Sequence, residues 1–198
     1  LLTDPSNEFA HMYNHVNLTD QHPVWVLIPV QPGFSKAVKV ALALNFALRL
    51  ELGQPDAQCV AELLEVVDFY LHQSNIAQPI DFVQGLLLGF YHEQPHSLWE
   101  IFDEAPHSLR YVTEEGCISL AGRLADVEIN LPENADLSVL IDQVLAVAAE
   151  CQDCAFRQSC GGYFKWPRPD YSCSAIKQVF GVLQAAANEL RRDIQDAP

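Results

Sequence analysis

Apolar residues recur at helical spacing over the first half of the chain and change to alternation near residue 109. The run Val24-Trp25-Val26-Leu27-Ile28-Pro29-Val30 is short, β-branched and closed by Gln31-Pro32-Gly33, the pattern of a buried strand entering a turn. Ser35 then stands as N-cap of a helix over about 36–52, with Val38, Leu42, Leu48 and Leu52 on its inner face and Gly53 at its end. A second helix spans about 57–73 through Val60, Leu63, Leu64, Val67 and Tyr70. Asp81 caps a third, running to about His92, in which Gly85 and Gly89 suggest close packing on a neighbour. Ser97 to Glu104 forms a short fourth helix, and the polar residues 1–22 read as an arm or short helix.

Beyond Leu109 the period is that of strands. Leu109 to Thr113, Cys117 to Leu120 and Ala125 to Leu131 alternate, with turns at Glu115-Gly116 and Gly122-Arg123. A small antiparallel sheet of this kind has edges. Asp136 caps a helix over about 137–150, and a last helix over about 174–193 carries Ile176, Val179, Phe180, Leu183 and Leu190. The expected fold class is α+β. A mainly helical part with one strand covers 1–107; a small antiparallel sheet, a cysteine loop and a closing helix cover 108–198.

Composition narrows the classes of function. With 198 residues and 49% apolar content, the chain can bury a core without cross-links. Its formal charge of −15 opposes phosphate backbones and anionic lipids, so nucleic acid and membrane surfaces are poor partners and a basic peptide is a better one. The opening LLTDPSNEF has neither a basic n-region nor an apolar h-region, and runs such as Val40 to Leu44 fall far short of a membrane span. A cytoplasmic location is expected.

The densest chemistry lies late in the chain. Cys151, Cys154, Cys160 and Cys173 follow the spacing Cys-x2-Cys-x5-Cys-x12-Cys, with Gly161-Gly162 after the third. A Cys-x2-Cys turn lets two thiolates grip one ion, and four suit zinc or an iron–sulfur cluster. The same four could instead form disulfides or remain thiols. Cys59, on a helix, reads as a small buried hydrophobe, and Cys117 stands at a strand start. His11 and His15 lie one helical turn apart but have no acidic or cysteine partner at a metal-site distance. Tyr91-His92-Glu93 with His96 is no zinc-protease helix, because Pro95 breaks it and the His-Glu-x-x-His pattern is missing. No Ser-His-Asp string, P-loop or glycine-rich dinucleotide fingerprint occurs either, so no catalytic residue is assigned.

The string Leu109-Arg-Tyr-Val-Thr-Glu-Glu-Gly116, followed by strands, a helix and Cys151-x2-Cys154-x5-Cys160-Gly-Gly, resembles the SPASM region of radical SAM peptide maturases. That region carries auxiliary iron–sulfur clusters. The family's cysteines five residues beyond the hairpin glycine and four beyond the third cysteine are replaced here by Ala121 and Phe164, and the radical-generating Cys-x3-Cys-x2-Cys loop is missing. Together with Val26 to Phe34, the chain is similar to the methanobactin biosynthesis protein C family. The resemblance implies a non-catalytic subunit that forms a heterodimer with a multinuclear iron oxidase, the iron residing in the partner, and helps hold the leader of a ribosomally made precursor peptide. A sheet edge can take such a peptide as an added strand. The candidate peptide-binding residues are Leu109, Tyr111, Val112, Thr113, Ile118, Leu120, Val127 and Ile129. The alternative is a zinc or iron–sulfur protein acting in electron transfer or peptide maturation.

Overall fold

The computed structural model describes residues 1–20, 22–105, 110–112, 116, 118–120, 139, 142, 145, 146 and 148–196. The chain mixes helices and strands and divides into two compact units, Leu1–Glu93 with Cys173–Pro198, and Gln94–Ser172. The closing helix thus belongs with the N-terminal residues rather than with the cysteine loop.

In the first unit a four-residue helix, α1 (Pro5–Glu8), leads into a 3₁₀ helix over Phe9–Leu18. Strands β1 (Trp25–Pro29) and β2 (Ala47–Glu51) follow. They run parallel, in register from Trp25↔Ala47 to Pro29↔Glu51. A parallel pair needs a crossover, and helix α2 (Phe34–Ala43) supplies it.

This corrects the expected helix over 36–52 and the expectation of a single strand here. Helix α2 starts at Phe34, not after Ser35, and stops where Asn45 takes a left-handed φ of 62°. Phe46, Leu48, Leu50 and Leu52 are then buried alternately, the period of a strand. The first sheet is parallel, not antiparallel. Gly33 precedes α2 at φ +88°, and a Cβ there would lie 3.1 Å from Ser6 Cβ. Its N–H donates to both carboxylate oxygens of Glu62, at 2.9 and 3.0 Å.

Helix α3 (Ala57–His72) is capped by Asp56, whose Oδ1 accepts the Cys59 N–H at 2.8 Å. Helix α4 (Asp81–Tyr91) has Asp81 as its first residue rather than its cap, and Asp81 accepts from Arg49 Nε of β2 at 2.8 Å. Just before α4, Ile80 makes an isolated parallel bridge to Leu48.

The C-terminal helix α7 (Ile176–Gln195) packs on α3 and α4 and buries Ile176, Val179, Phe180, Leu183 and Ala187. Phe82 and Phe180 meet edge to face at 6.4 Å. Burying a large apolar side chain contributes about 1.5–3 kcal/mol, so these contacts fix α7 to this unit.

The second unit begins with α5 (Leu98–Ile101), which carries a capping box between Ser97 and Glu100. Strands β3 (Arg110–Val112) and β4 (Ile118–Leu120) form an antiparallel pair, with Arg110↔Leu120, Tyr111↔Ser119 and Val112↔Ile118 opposed. The expected strand over 125–131 lies outside the described residues. Of the expected helix over 137–150, Val139, Asp142, Leu145 and Ala146 are helical, whereas Ala148 is not and Ala149 and Glu150 already belong to a 3₁₀ turn. The cysteine segment follows as a 3₁₀ turn (Ala149–Cys151), the short helix α6 (Arg157–Cys160) and a second 3₁₀ turn (Tyr163–Lys165).

Candidate peptide-binding site

The expected peptide-binding residues divide by position. Tyr111, Val112, Ile118 and Leu120 lie in the β3–β4 ladder, whereas Leu109, Thr113, Val127 and Ile129 lie outside the described residues. Val112 is 71% exposed, which is unusual for a β-branched residue on a strand that has a covering layer. Among the described residues this sheet has two strands, and so has the first. Each strand of such a pair has an edge whose backbone groups face away from its neighbour.

The edge of β1 was not legible in the sequence as a site. Ala47 N–H donates to Val24 O and Val30 N–H to Glu51 O, both at 3.0 Å, so alternate residues from Val24 to Val30 turn their backbone groups toward β2. Trp25, Leu27 and Pro29 turn theirs outward. Among the described residues the arm reaches this edge through one backbone bond, from Leu2 N–H to Leu27 O at 3.1 Å. Trp25 is 45% exposed, and Pro29, having no N–H, limits any ladder on that side.

A cavity of about 390 Å³ adjoins the same edge. Leu2, Met12, Leu18, Val26 and Phe46 give it apolar walls, and His11 and His15 give it imidazoles. The two imidazoles, one helical turn apart in the sequence, thus line one cavity. Glu8 also borders the cavity, but its carboxylate is committed to the arm: Oε2 accepts the N–H groups of Thr3 and Asp4 at 2.8 and 3.1 Å. These bonds, the Asp4 N–H foremost, hold the Glu8 carboxyl below its ordinary range.

Aromatic packing braces the Gly161–Phe164 stretch of the cysteine segment within its own unit. Trp99, fully buried, donates from Nε1 to Gly161 O at 2.9 Å and meets the Tyr163 ring at 4.9 Å. Phe102 stacks on Tyr163 at 5.2 Å, and Phe164 contacts Tyr163 edge to face. Gly161 and Gly162 both take left-handed φ, 57° and 74°, where a side chain would be strained. This is the geometric reason for that Gly-Gly pair.

Cys151 is buried with Leu145 and Ala148, and Cys154 and Cys160 are partly exposed. Cys173 is buried in the first unit, where its carbonyl accepts from Lys177 N–H at 3.0 Å. Thiols have the right chemistry for a soft ion, but among the described residues no three His, Cys, Asp or Glu side chains come together as a donor set. Cys59 lies 3% exposed on α3; burial first, and then Asp56 beside it, push its thiol up to about 11.

No protein-family model matches the chain, and no curated protein or solved structure is significantly similar to it. Among the described residues no helix is long and apolar enough to cross a membrane.

Proposed function

We propose that this protein is a non-catalytic accessory subunit that holds an extended peptide as an added β-strand. The observation that carries this reading is that both sheets stop at two strands among the described residues. Backbone hydrogen bonds along such an edge supply affinity without demanding a particular sequence, and a side-chain pocket beside it supplies selectivity. Two edges qualify, that of β3–β4 and that of β1 beside its cavity. The formal charge of −15 favours a basic peptide.

The resemblance of the cysteine segment extends the proposal. The peptide is then the leader of a ribosomally made precursor of methanobactin type, and the chemistry belongs to a multinuclear iron oxidase that pairs with this chain in the cytoplasm. The test is titration calorimetry of the full chain with the precursor peptides encoded beside its gene, with and without the neighbouring oxidase. Leu27→Pro removes an outward N–H from β1, and Val112→Pro removes an N–H from β3. At least one should reduce affinity tenfold or more while circular dichroism stays unchanged. Unaltered affinity in both would end the strand-addition reading.

A further inference from the structure

The C-terminal helix carries a second surface that strand addition does not use. Val182, Ala186, Leu190 and Ile194 recur every four residues along α7 and form one stripe. Val182, Leu190 and Ile194 are 40%, 43% and 54% exposed. Three large apolar residues aligned in the open are an uncommon use of surface. A groove of about 560 Å³ runs beside them, closed on the far side by Leu71 of α3 and Leu87 of α4. Ala186 contributes the small side chain that leaves this room.

Glu189 and Asp193, four apart, also line the groove, with His72 opposite. His72 lies 3.2 Å from Asp68, one turn earlier on α3. Neither arginine of α7 is among the residues that line the groove. Arg191 is committed to the end of α4, and the Arg192 guanidinium turns back to Asn188 O at 3.2 Å. The groove therefore presents an apolar channel bordered by an acidic row.

We infer that this groove docks an amphipathic helix of a partner protein, its apolar stripe seated between α7 and the α3–α4 wall and its flanking row basic. Two helices pack by setting the ridges formed by every fourth residue into each other's grooves, and the stripe on α7 has that spacing. Charge decides against the other occupants. A second copy of this chain would set Glu189 and Asp193 against their own kind on a protein of formal charge −15, and an anionic membrane would meet the same repulsion.

The test uses the full chain and a fluorescein-labelled peptide of about 18 residues, close to the length of α7, with leucines at helical period and lysines flanking them. A peptide of equal composition in scrambled order is the control. Fluorescence anisotropy should show saturable binding of the amphipathic peptide at least tenfold tighter than the control. Ala186→Trp fills the groove and should lower that affinity tenfold or more. The double variant Glu189→Lys, Asp193→Lys should reverse the preference toward a peptide with glutamates in place of lysines. Indifference to Ala186→Trp, or equal binding of the scrambled peptide, would overturn the inference. So would self-association in sedimentation that Ala186→Trp abolishes, since the occupant would then be a second copy.

Discussion

Lys165 Nζ lies 2.6 Å from Glu150 Oε2 and also donates to the carbonyl of Tyr171, with only 5% of the lysine side chain exposed. One buried ammonium thus ties both ends of the cysteine segment together, from the turn that holds Cys151 to the residues just before Ser172. The bond needs the charge. A hydrogen bond to a charged group contributes about 1.5–3 kcal/mol, and the unpartnered ion costs more than the missing contact.

Glu150→Ala should therefore destabilise the protein by about 2 kcal/mol, because it takes the carboxylate away from a buried ammonium that keeps its bond to the Tyr171 carbonyl. Lys165→Met keeps the aliphatic stem and removes the charge, so it should cost less than Glu150→Ala. Urea denaturation of the three proteins, followed by the fluorescence of Trp99 and its neighbours, measures the order. Equal losses would show that the ion is not the element that matters.

The end of α4 depends on a residue a hundred positions away. Arg191 donates from Nη2 to Phe90 O and Tyr91 O at 2.6 and 2.7 Å, and from Nε to Tyr91 O at 3.1 Å, while Nη1 meets Glu93 at 2.6 Å. The last carbonyls of a helix lack internal partners, and here a guanidinium fork satisfies them. Arg191→Lys keeps a cation but cannot span the carbonyls, so it should cost about 1–2 kcal/mol. Glu93→Gln, on an exposed carboxylate, should cost almost nothing. Thermal unfolding at low and high salt separates the two effects. The Arg191→Lys loss should persist in salt, since most of its bonds go to neutral carbonyls.

Much of this fold was legible where one period acts alone. Strand β1 and helices α3 and α7 lie close to where the apolar spacing puts them, because each has one buried face. Strand β2 was not, because Leu48 and Leu52 satisfy a helical interval while Phe46, Leu48, Leu50 and Leu52 also alternate. Arg49 and Glu51 between them carried the deciding signal, since polar residues at every second position suit a strand with one open face. The return of α7 to the N-terminal unit rests on Phe82 and Phe180, a contact that no local pattern encodes. The site divides in the same way. The Glu-Glu-Gly turn announced the β3–β4 pair, but the openness of β1 at Trp25 depends on which strand lies beside it, and only tertiary structure decides that. Cysteine spacing shows which thiols could share an ion, not whether their side chains converge.

Cys59 should resist alkylation. Its thiol is 3% exposed and pushed up to about 11 by burial and by Asp56, so roughly one molecule in a thousand holds the thiolate at pH 8. With iodoacetamide at that pH, peptide mass analysis should find the partly exposed Cys154 modified well before Cys59. Asp56→Asn keeps an N-cap acceptor but removes the negative charge, and should speed Cys59 modification. If Cys59 reacts as fast as Cys154 in the native protein, the burial assigned to α3 is wrong.

Acid should release the N-terminal arm before it unfolds the core. Asp4 is held below its usual value by the side chains of Asn7 and Ser6, and Glu8 by the N–H groups of Asp4 and Thr3. A carboxyl whose folded pKa is depressed stabilises the folded arrangement fully above its unfolded pKa. That contribution is lost as pH falls through the lower, folded value. Between neutrality and about pH 5 the arm should therefore stay docked; below about pH 4 the amides of Thr3, Asp4 and Ser6 should lose protection while those of α3 keep theirs. Hydrogen exchange read by mass spectrometry across this range, corrected for the intrinsic rate at each pH, gives the comparison. Glu8→Gln should remove most of the pH dependence at Thr3 and Asp4 and leave the arm looser at neutral pH. Because Leu2, Thr3 and Glu8 border the cavity beside β1, the same acid step should open that edge and expose Trp25 further, visible as increased quenching of its fluorescence by acrylamide. Loss of arm and core protection together would mean that these carboxylates do not hold the arm separately.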